Sequence, residues 1–278
     1  TAWAARSSVA AIESRGRARV RRNQVMKSHG LALRSAGEGP LLLLLHGLGS
    51  SSLDWQAQIE HFSQHYRVVA LDLRGHGQSM QEGPFDVPTL AADVARWLEE
   101  QPEPAWVVGL SLGAMVALEL ALRLPHKVRG LVLVNGFSEF LLETPREQER
   151  HAMRLKWLRW FGMRPLAWWL GRELFPGPEL AQVRHTFRLR FVRSNKKKTY
   201  KALLEALPGW SVRARLGSLW QPVAIISTSH DYLPLAKRVE QFASLPNASI
   251  HTPEGHHAWP AEDPAGFNHL LQRILATH

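Results

Sequence analysis

Short runs that are apolar at every position alternate along this chain with longer stretches in which apolar residues return every three or four. Leu41–Leu45 is unbroken leucine, and Arg67–Leu71, residues 106–108, residues 131–134 and residues 222–226 are runs of the same kind. Ala248–His251 reads as a further strand, and residues 24–33 as two strands hinged at His29-Gly30. A strand that is apolar throughout has no face to give to water, so these runs predict a parallel sheet covered on both sides by helices. Residues 53–62, 89–98 and 114–124 supply helical spacing between them, the last stretch closed by Pro125. The final helix is the most fully signalled. Asp263 can cap it, Pro264 suits its first position, and Phe267, Leu270, Leu271, Ile274 and Leu275 fall on one stripe.

The alternation stops between residue 138 and about residue 215. Helical patterns continue there without a convincing strand, and the stretch holds Trp157, Trp160, Trp168, Trp169 and Trp210. Residues 1–23 are rich in Ala, Arg and Ser with one acid, Glu13, and read as a basic N-terminal tail, an added or processed segment.

One pentapeptide carries the chemistry. Gly109-Leu110-Ser111-Leu112-Gly113 lies between an apolar strand and a helical segment, with a glycine two residues to either side of the serine. That pattern predicts a nucleophile elbow, a turn too tight for large flanking side chains, with the serine at a helix N-terminus that favours negative charge. A serine nucleophile needs a base and a group that orients the base. Asp231 follows the strand at residues 222–226, and His256 follows Gly255 after the strand Ala248–His251, giving the order Ser111, Asp231, His256. Upstream, Leu41–Leu45 runs into His46-Gly47-Leu48-Gly49. The backbone amides of Leu48 and Leu112 are the expected oxyanion donors, and His46 is expected to brace its loop rather than to react.

Four segments in order, His46-Gly47-Leu48-Gly49, Asp72-Leu73-Arg74-Gly75-His76-Gly77-Gln78-Ser79, the serine elbow and Gly255-His256, make the chain resemble the α/β-hydrolase superfamily over roughly residues 24–278. The resemblance implies a serine hydrolase with Ser111 as nucleophile, His256 as base and Asp231 as orienting acid. It favours His256 over the adjacent His257, because relatives place the base directly after the glycine. Relatives also carry a glycine three residues before the acid, where this chain has Thr228. It further implies an α/β core formed by residues 24–138 and 216–278, with residues 139–215 as a helical cap over the site. Serine at the elbow argues against the dehalogenases and epoxide hydrolases of the superfamily, which use aspartate there.

Composition narrows the function classes. A chain of 278 residues, 45% hydrophobic, suits one large α/β domain. There is no cysteine, which excludes disulfides and thiol catalysis. No apolar run is long enough to span a bilayer, so a cytoplasmic location is expected. His230 beside Asp231 is a lone pair without further ligand clusters, and no metal or other cofactor is expected. Arg74-Gly75-His76-Gly77 lacks the third glycine of a dinucleotide site and reads as a structural loop.

The net charge of +10 is uneven. Residues 139–215 hold 17 basic and 7 acidic residues, whereas the α/β core is mildly acidic. The excess could serve an anionic lipid or an acidic acyl carrier; nucleic acid is disfavoured because no binding module is recognisable. The expected reaction is hydrolysis of a small-molecule carboxylic ester of short to medium acyl chain, in a pocket lined by the tryptophans and leucines of the cap. Lactones, thioesters and carbon–carbon bonds remain open to the same machinery, as does a non-catalytic binding role, and oligomeric state is not encoded in any motif.

Overall fold

The computed structural model describes residues 25–231 and 234–277. The expected tail at residues 1–23 lies outside them. The chain opens with strands β1 (Val25–Ser28), β2 (Leu31–Ala36) and β3 (Leu41–Leu45), helix α1 (Gln56–Phe62), β4 (Arg67–Leu71), α2 (Val87–Glu99) and β5 (Ala105–Leu110). It continues with α3 (Leu112–Arg123) and β6 (Val128–Val134). After a long insert come β9 (Val223–Ile226), α8 (Leu235–Glu240), β10 (Ala248–His251), α9 (Trp259–Glu262) and α10 (Pro264–Ala276). The eight core strands form one sheet in the order β1-β2-β4-β3-β5-β6-β9-β10. The pairs β1/β2 and β2/β4 are antiparallel, and every other pair is parallel. This is the α/β architecture that the apolar runs predict.

The leucine strand shows why the sheet is buried on both faces. Leu41, Leu43 and Leu45 enter one core with Leu90, Val94 and Leu118 of α2 and α3. Leu42 and Leu44 point the other way, into a second core with Trp55, Phe62, Phe267 and Leu271. Side chains alternate across a strand, so five leucines in succession satisfy two cores at once. The last helix begins as expected, with the Asp263 carboxylate accepting from Gly266 N at 3.0 Å.

The insert leaves after β6 through β7 (Glu139–Phe140) and returns through β8 (Trp210–Ser211). These two pair antiparallel as a two-residue ribbon, strand structure where none was expected, held by one register of two residue pairs. Between them lie α4 (Pro145–Phe161), α5 (Met163–Leu174), α6 (Ala181–Ser194) and α7 (Lys197–Ala206). α4 starts with a reciprocal cap in which Thr144 Oγ1 accepts from Glu147 N and Glu147 accepts from Thr144 N. The insert has its own small core of Leu158, Leu166, Leu170, Phe191, Tyr200 and Leu204. Among the described residues no helix is long and apolar enough to cross a membrane.

Leu43→Ala and Leu44→Ala each remove a fully buried side chain from a different core. Both are expected to cost about 2–5 kcal/mol in urea unfolding. A sheet with one wet face would show that cost at only one of the two positions.

Candidate active site

Ser111 sits between β5 and α3 with φ 53° and ψ −111°, outside the usual regions for a side-chain-bearing residue. The backbone holds it there. Ser111 N donates to Val134 O at 2.9 Å on β6, and Ser111 O accepts from Ala114 N at 2.9 Å. The flanking glycines are required by contact rather than by flexibility. A Cβ on Gly109 would lie 2.4 Å from Gly113 O, and one on Gly113 would lie 2.1 Å from Leu45 O. Ser111 precedes α3, yet its side chain makes no capping hydrogen bond to the helix. The ordinary role of a serine at a helix start is therefore absent.

The loop after β3 passes against the serine, with the position of a Cβ on Gly47 only 3.5 Å from Ser111 Cβ. Two buried histidines hold that loop. His46 donates from Nδ1 to Gly47 O at 2.8 Å and accepts at Nε2 from Leu73 N at 3.0 Å. His76 accepts at Nε2 from Gly49 N at 3.1 Å and donates from Nδ1 to Arg74 O at 3.1 Å. Each ring gives one proton and receives one, a pattern that only the neutral imidazole can satisfy. Burial pushes the pKa of His46 below the ordinary histidine value, and burial with the neighbouring His46 takes His76 well below it. Asp72 completes the brace, accepting from Ser52 N at 2.7 Å and Gln78 N at 2.9 Å. His46 is thus a bracing residue, and Arg74-Gly75-His76-Gly77 a structural loop.

The predicted acid and base do not both fall where expected. Asp231 follows β9 with its side chain fully buried, and the histidine on it is His257, whose Nδ1 lies 2.9 Å from Oδ2. His256 is turned away. Its Nδ1 and its backbone N bind the two oxygens of Glu262, each at 2.8 Å. His257 and Ser111 line the same cavity. The expectation that His256 partners Asp231 is corrected by one residue. The physical reason lies in Gly255, which has φ +151° and carries no Cβ because one would lie 2.5 Å from the Trp259 indole. The glycine marks the packing of Trp259 and does not fix which of the next two histidines turns inward.

Sequence reasoning missed the hub beneath this pair. Asn135, at the end of β6 with φ 44°, donates from Nδ2 to His257 O at 2.9 Å. Its Oδ1 accepts from Thr228 N at 2.9 Å, Thr228 Oγ1 at 3.1 Å and Arg238 Nη1 at 2.8 Å. Arg238, fully buried on α8, also donates to Thr228 O at 2.6 Å and stands 3.4 Å from Asp231 Oδ2. One amide side chain therefore ties the histidine loop, the acid loop and a buried cation together. Thr228 supplies three of the groups in this network, its N, Oγ1 and O. Asn135 follows an apolar strand and has a left-handed backbone, a conformation Asn adopts readily, but nothing within a few residues of it in the sequence marks its partners. Arg238 lies in a short amphipathic stretch and offered no signal.

Two cavities, of about 380 Å³ and 630 Å³, are both lined by Ser111, Leu48, Arg150 and Arg154. Leu170, Phe175 and Phe187 wall the first, together with Trp55 of the α/β core. Phe137, Phe140, Leu204 and Leu207 wall the second. The five tryptophans of the insert are on neither wall, contrary to expectation. Trp157 stacks on Trp169 with centroids 6.1 Å apart, Trp210 is buried, and Trp160 and Trp168 are exposed. Leu48 and Leu112 both adjoin Ser111 at the second cavity, and the N–H of Leu112 opens α3, where no intrahelical partner exists. Among the described residues no cluster of three or more metal-ligating side chains occurs.

The sequence profile of the alpha/beta hydrolase fold matches residues 40–258. The chain belongs to that family. A curated relative of this hydrolase, a protein of Agrobacterium fabrum named as the carbamate hydrolase RutD, is 30% identical over 254 residues, 87% of this chain and 95% of its own. The pimeloyl-[acyl-carrier protein] methyl ester esterase of Methylococcus capsulatus is 40% identical over 114 residues, 41% of this chain and 44% of its own. The crystal structure of a hydrolase from Pseudomonas aeruginosa superposes with a TM-score of 0.77 at 29% identity, covering 88% of this chain and 94% of that one. The α/β-hydrolase fold is thereby shared with relatives matched over nearly their full length.

Two predictions follow from the buried polar groups of this hydrolase. Arg238→Met leaves the Asp231 carboxylate and Asn135 Oδ1 without their cation, and a loss on the order of 3–5 kcal/mol is expected in chemical unfolding. A loss within about 0.5 kcal/mol, typical of surface substitutions, would show that the hub carries no such strain. His46 and His76 have folded pKa values depressed below that of the unfolded chain. Above about pH 6.5 both states hold them neutral and stability from this source is level. As pH falls below that, the unfolded chain binds protons that the folded chain refuses, and stability drops. His76→Gln should therefore flatten the acid limb of stability against pH by up to about one proton relative to the parent protein.

Proposed function

We propose that this α/β-fold hydrolase cleaves carboxylic esters of small to medium acyl groups through an acyl-enzyme on Ser111, with His257 as base and Asp231 as its orienting acid. The observation that carries the reading is the combination of a strained serine that caps nothing with a histidine held on a buried carboxylate at 2.9 Å, both facing one cavity. The bond from Nδ1 to Asp231 places the imidazole lone pair on Nε2. That nitrogen takes the proton of Ser111 Oγ as the oxygen attacks the carbonyl carbon, and returns it to the departing alkoxide. Water then adds to the acyl-enzyme by the same route in reverse, releasing the acid and restoring Ser111. The N–H groups of Leu48 and Leu112 hold the negative oxygen of each tetrahedral intermediate, a term worth about 10²- to 10³-fold per donor. No cofactor enters this scheme. Relatives named as a carbamate hydrolase and a methyl ester esterase support attack at an acyl carbon, and lactone or thioester substrates fit the same machinery.

In this reading the insert acts as the cap. Its excess of positive charge favours encounter with an anionic acyl substrate, an acidic carrier or an anionic lipid, and hydrolysis of such a substrate should weaken with added salt while that of a neutral ester barely changes.

Substitution decides among the residues. Ser111→Ala should lose about 10⁶-fold in kcat on p-nitrophenyl esters, and His257→Ala should lose a similar factor. His256→Ala, which removes the Nδ1 contact to Glu262 and the ring contact to His230 but leaves the Asp231–His257 pair in place, should be mild by comparison. Should His256→Ala prove the crippling change and His257→Ala the mild one, the assignment of base falls. Labelling by a fluorophosphonate that survives Ser111→Ala would remove the nucleophile.

A further inference from the structure

A cation on a cavity wall is ordinarily neutralised by a carboxylate, and in this protein most are. Arg150 grips Glu173 through two bonds of 3.0 and 2.9 Å. Arg190 meets Asp54 at 2.9 Å, and Lys237 meets Glu147 at 2.7 Å and Glu143 at 2.9 Å. Arg154 is different. It lines both cavities beside Ser111, and among the described residues its guanidinium has no carboxylate partner. It ends instead on a phenol, Nε and Nη2 both donating to Tyr200 Oη, the former at 2.7 Å. Its Cζ stands 5.3 Å from the centroid of the same ring. Tyr200 is fully buried, and burial raises its pKa above the ordinary tyrosine value, so the phenol stays neutral and cannot cancel the charge. The contact fixes two nitrogens of the planar fork and leaves Nη1, whose two N–H groups have no partner among the described residues.

The surroundings do not supply the missing anion. His151, one turn before Arg154, has its pKa lowered by burial and by Arg154 itself, against the opposing pull of Glu205, and so stays neutral near pH 7; Glu205 is itself held by Lys201 at 2.9 Å. Glu60 also lines the first cavity, but it is an exposed side chain held by Gln56 Nε2 at 2.6 Å. Arg146 lacks a carboxylate too, but it is exposed and reaches only the second cavity. Arg154 is half-buried against apolar walls, where an unpaired guanidinium interacts strongly with an anion that brings its own negative charge into the cavity.

We propose that Arg154 is an anion-binding residue of the acyl site, and that the substrates are monoesters of dicarboxylic acids, the free carboxylate on Arg154 and the ester carbonyl at Ser111. This rests on the serine-hydrolase reading and extends it from neutral acyl chains to acyl chains that end in a charge. The reaction consumes water and yields the dicarboxylate and an alcohol, with no other reactant. Tyr200 is the positioning residue that aims the guanidinium.

The test compares p-nitrophenyl pentanoate with the mono-p-nitrophenyl ester of glutaric acid, which has the same number of acyl carbons. The parent enzyme should prefer the glutarate ester. Arg154→Met should lower the ratio of kcat/KM for glutarate over pentanoate by about 10- to 100-fold, mainly through KM, the range set by one charge-assisted hydrogen bond. Arg154→Lys should fall between the two. Because both substrates are assayed on one preparation, partial misfolding cancels from the ratio. An unchanged ratio in Arg154→Met, or a parent enzyme without preference for glutarate, overturns the proposal. Calorimetric binding of glutarate itself needs no turnover and separates the two readings. If neither ester is cleaved but glutarate binds the parent protein at least tenfold more tightly than Arg154→Met, the hydrolase reading fails and the anion site stands. Equal binding by both proteins overturns the anion site whatever the esters do.

Discussion

The contact on which the site depends is the closeness of three backbones at the head of α3. Gly113 approaches the carbonyl of Leu45 so nearly that no side chain fits between them, and Gly109 approaches Gly113 in the same way. With β3, β5 and α3 locked at that distance, Ser111 is left to bridge a strand and a helix across a gap that a relaxed backbone cannot span. Its positive φ is the outcome, stabilised by the hydrogen bond to Val134 and by the two cores that fix the sheet on either face. Nothing near the serine hydroxyl needs to be strained by a ligand, because the strain is built in by packing.

Around this fixed point the polar groups fall into two braces with different chemistry. Beneath the His46–Gly49 loop, neutral histidines and one aspartate pair with backbone groups, a mode that adds rigidity without a buried net cation. Beneath the acid and histidine loops, Asn135 and Arg238 place a full positive charge next to Asp231. A buried charge of this kind needs most of its donors filled, and here the chain fills them with Asn135, Thr228 and Asp231.

The fold was legible because its signals are local and repeated. Unbroken apolar strands, helical spacing between them and the Asp263-Pro264 start each reflect burial or capping within a few residues. The elbow was legible for the same reason, since both glycines sit in the pentapeptide they serve. The identity of the histidine was not, because two candidates are adjacent and their choice depends on Glu262 and Trp259 reaching back from the next helix. Asn135 acts across separations of about a hundred residues, to Thr228, Arg238 and His257, and it is through Asn135 that Arg238 joins the histidine loop. The tryptophans misled because an aromatic side chain in a helix suits an internal core or an exposed face as readily as a ligand wall, and sequence spacing does not distinguish these.

The small ribbon formed by β7 and β8 has a wider consequence. It brings the two ends of the insert together, Glu139 opposite Ser211 and Phe140 opposite Trp210. The insert is therefore a loop closed at its base by this seam and tied to the core further out, through Arg190 to Asp54 and Asn195 to Gly49, and the entropy of closing such a loop grows only slowly with its length. Length changes in the turns between its helices therefore cost little in closure, and the pairing of β6 with β9 beneath does not pass through them. The freedom has one limit, since any replacement must keep Asn195, whose Nδ2 donates to Gly49 O at 2.8 Å, and Ser194, whose carbonyl accepts from Gly77 N at 2.7 Å.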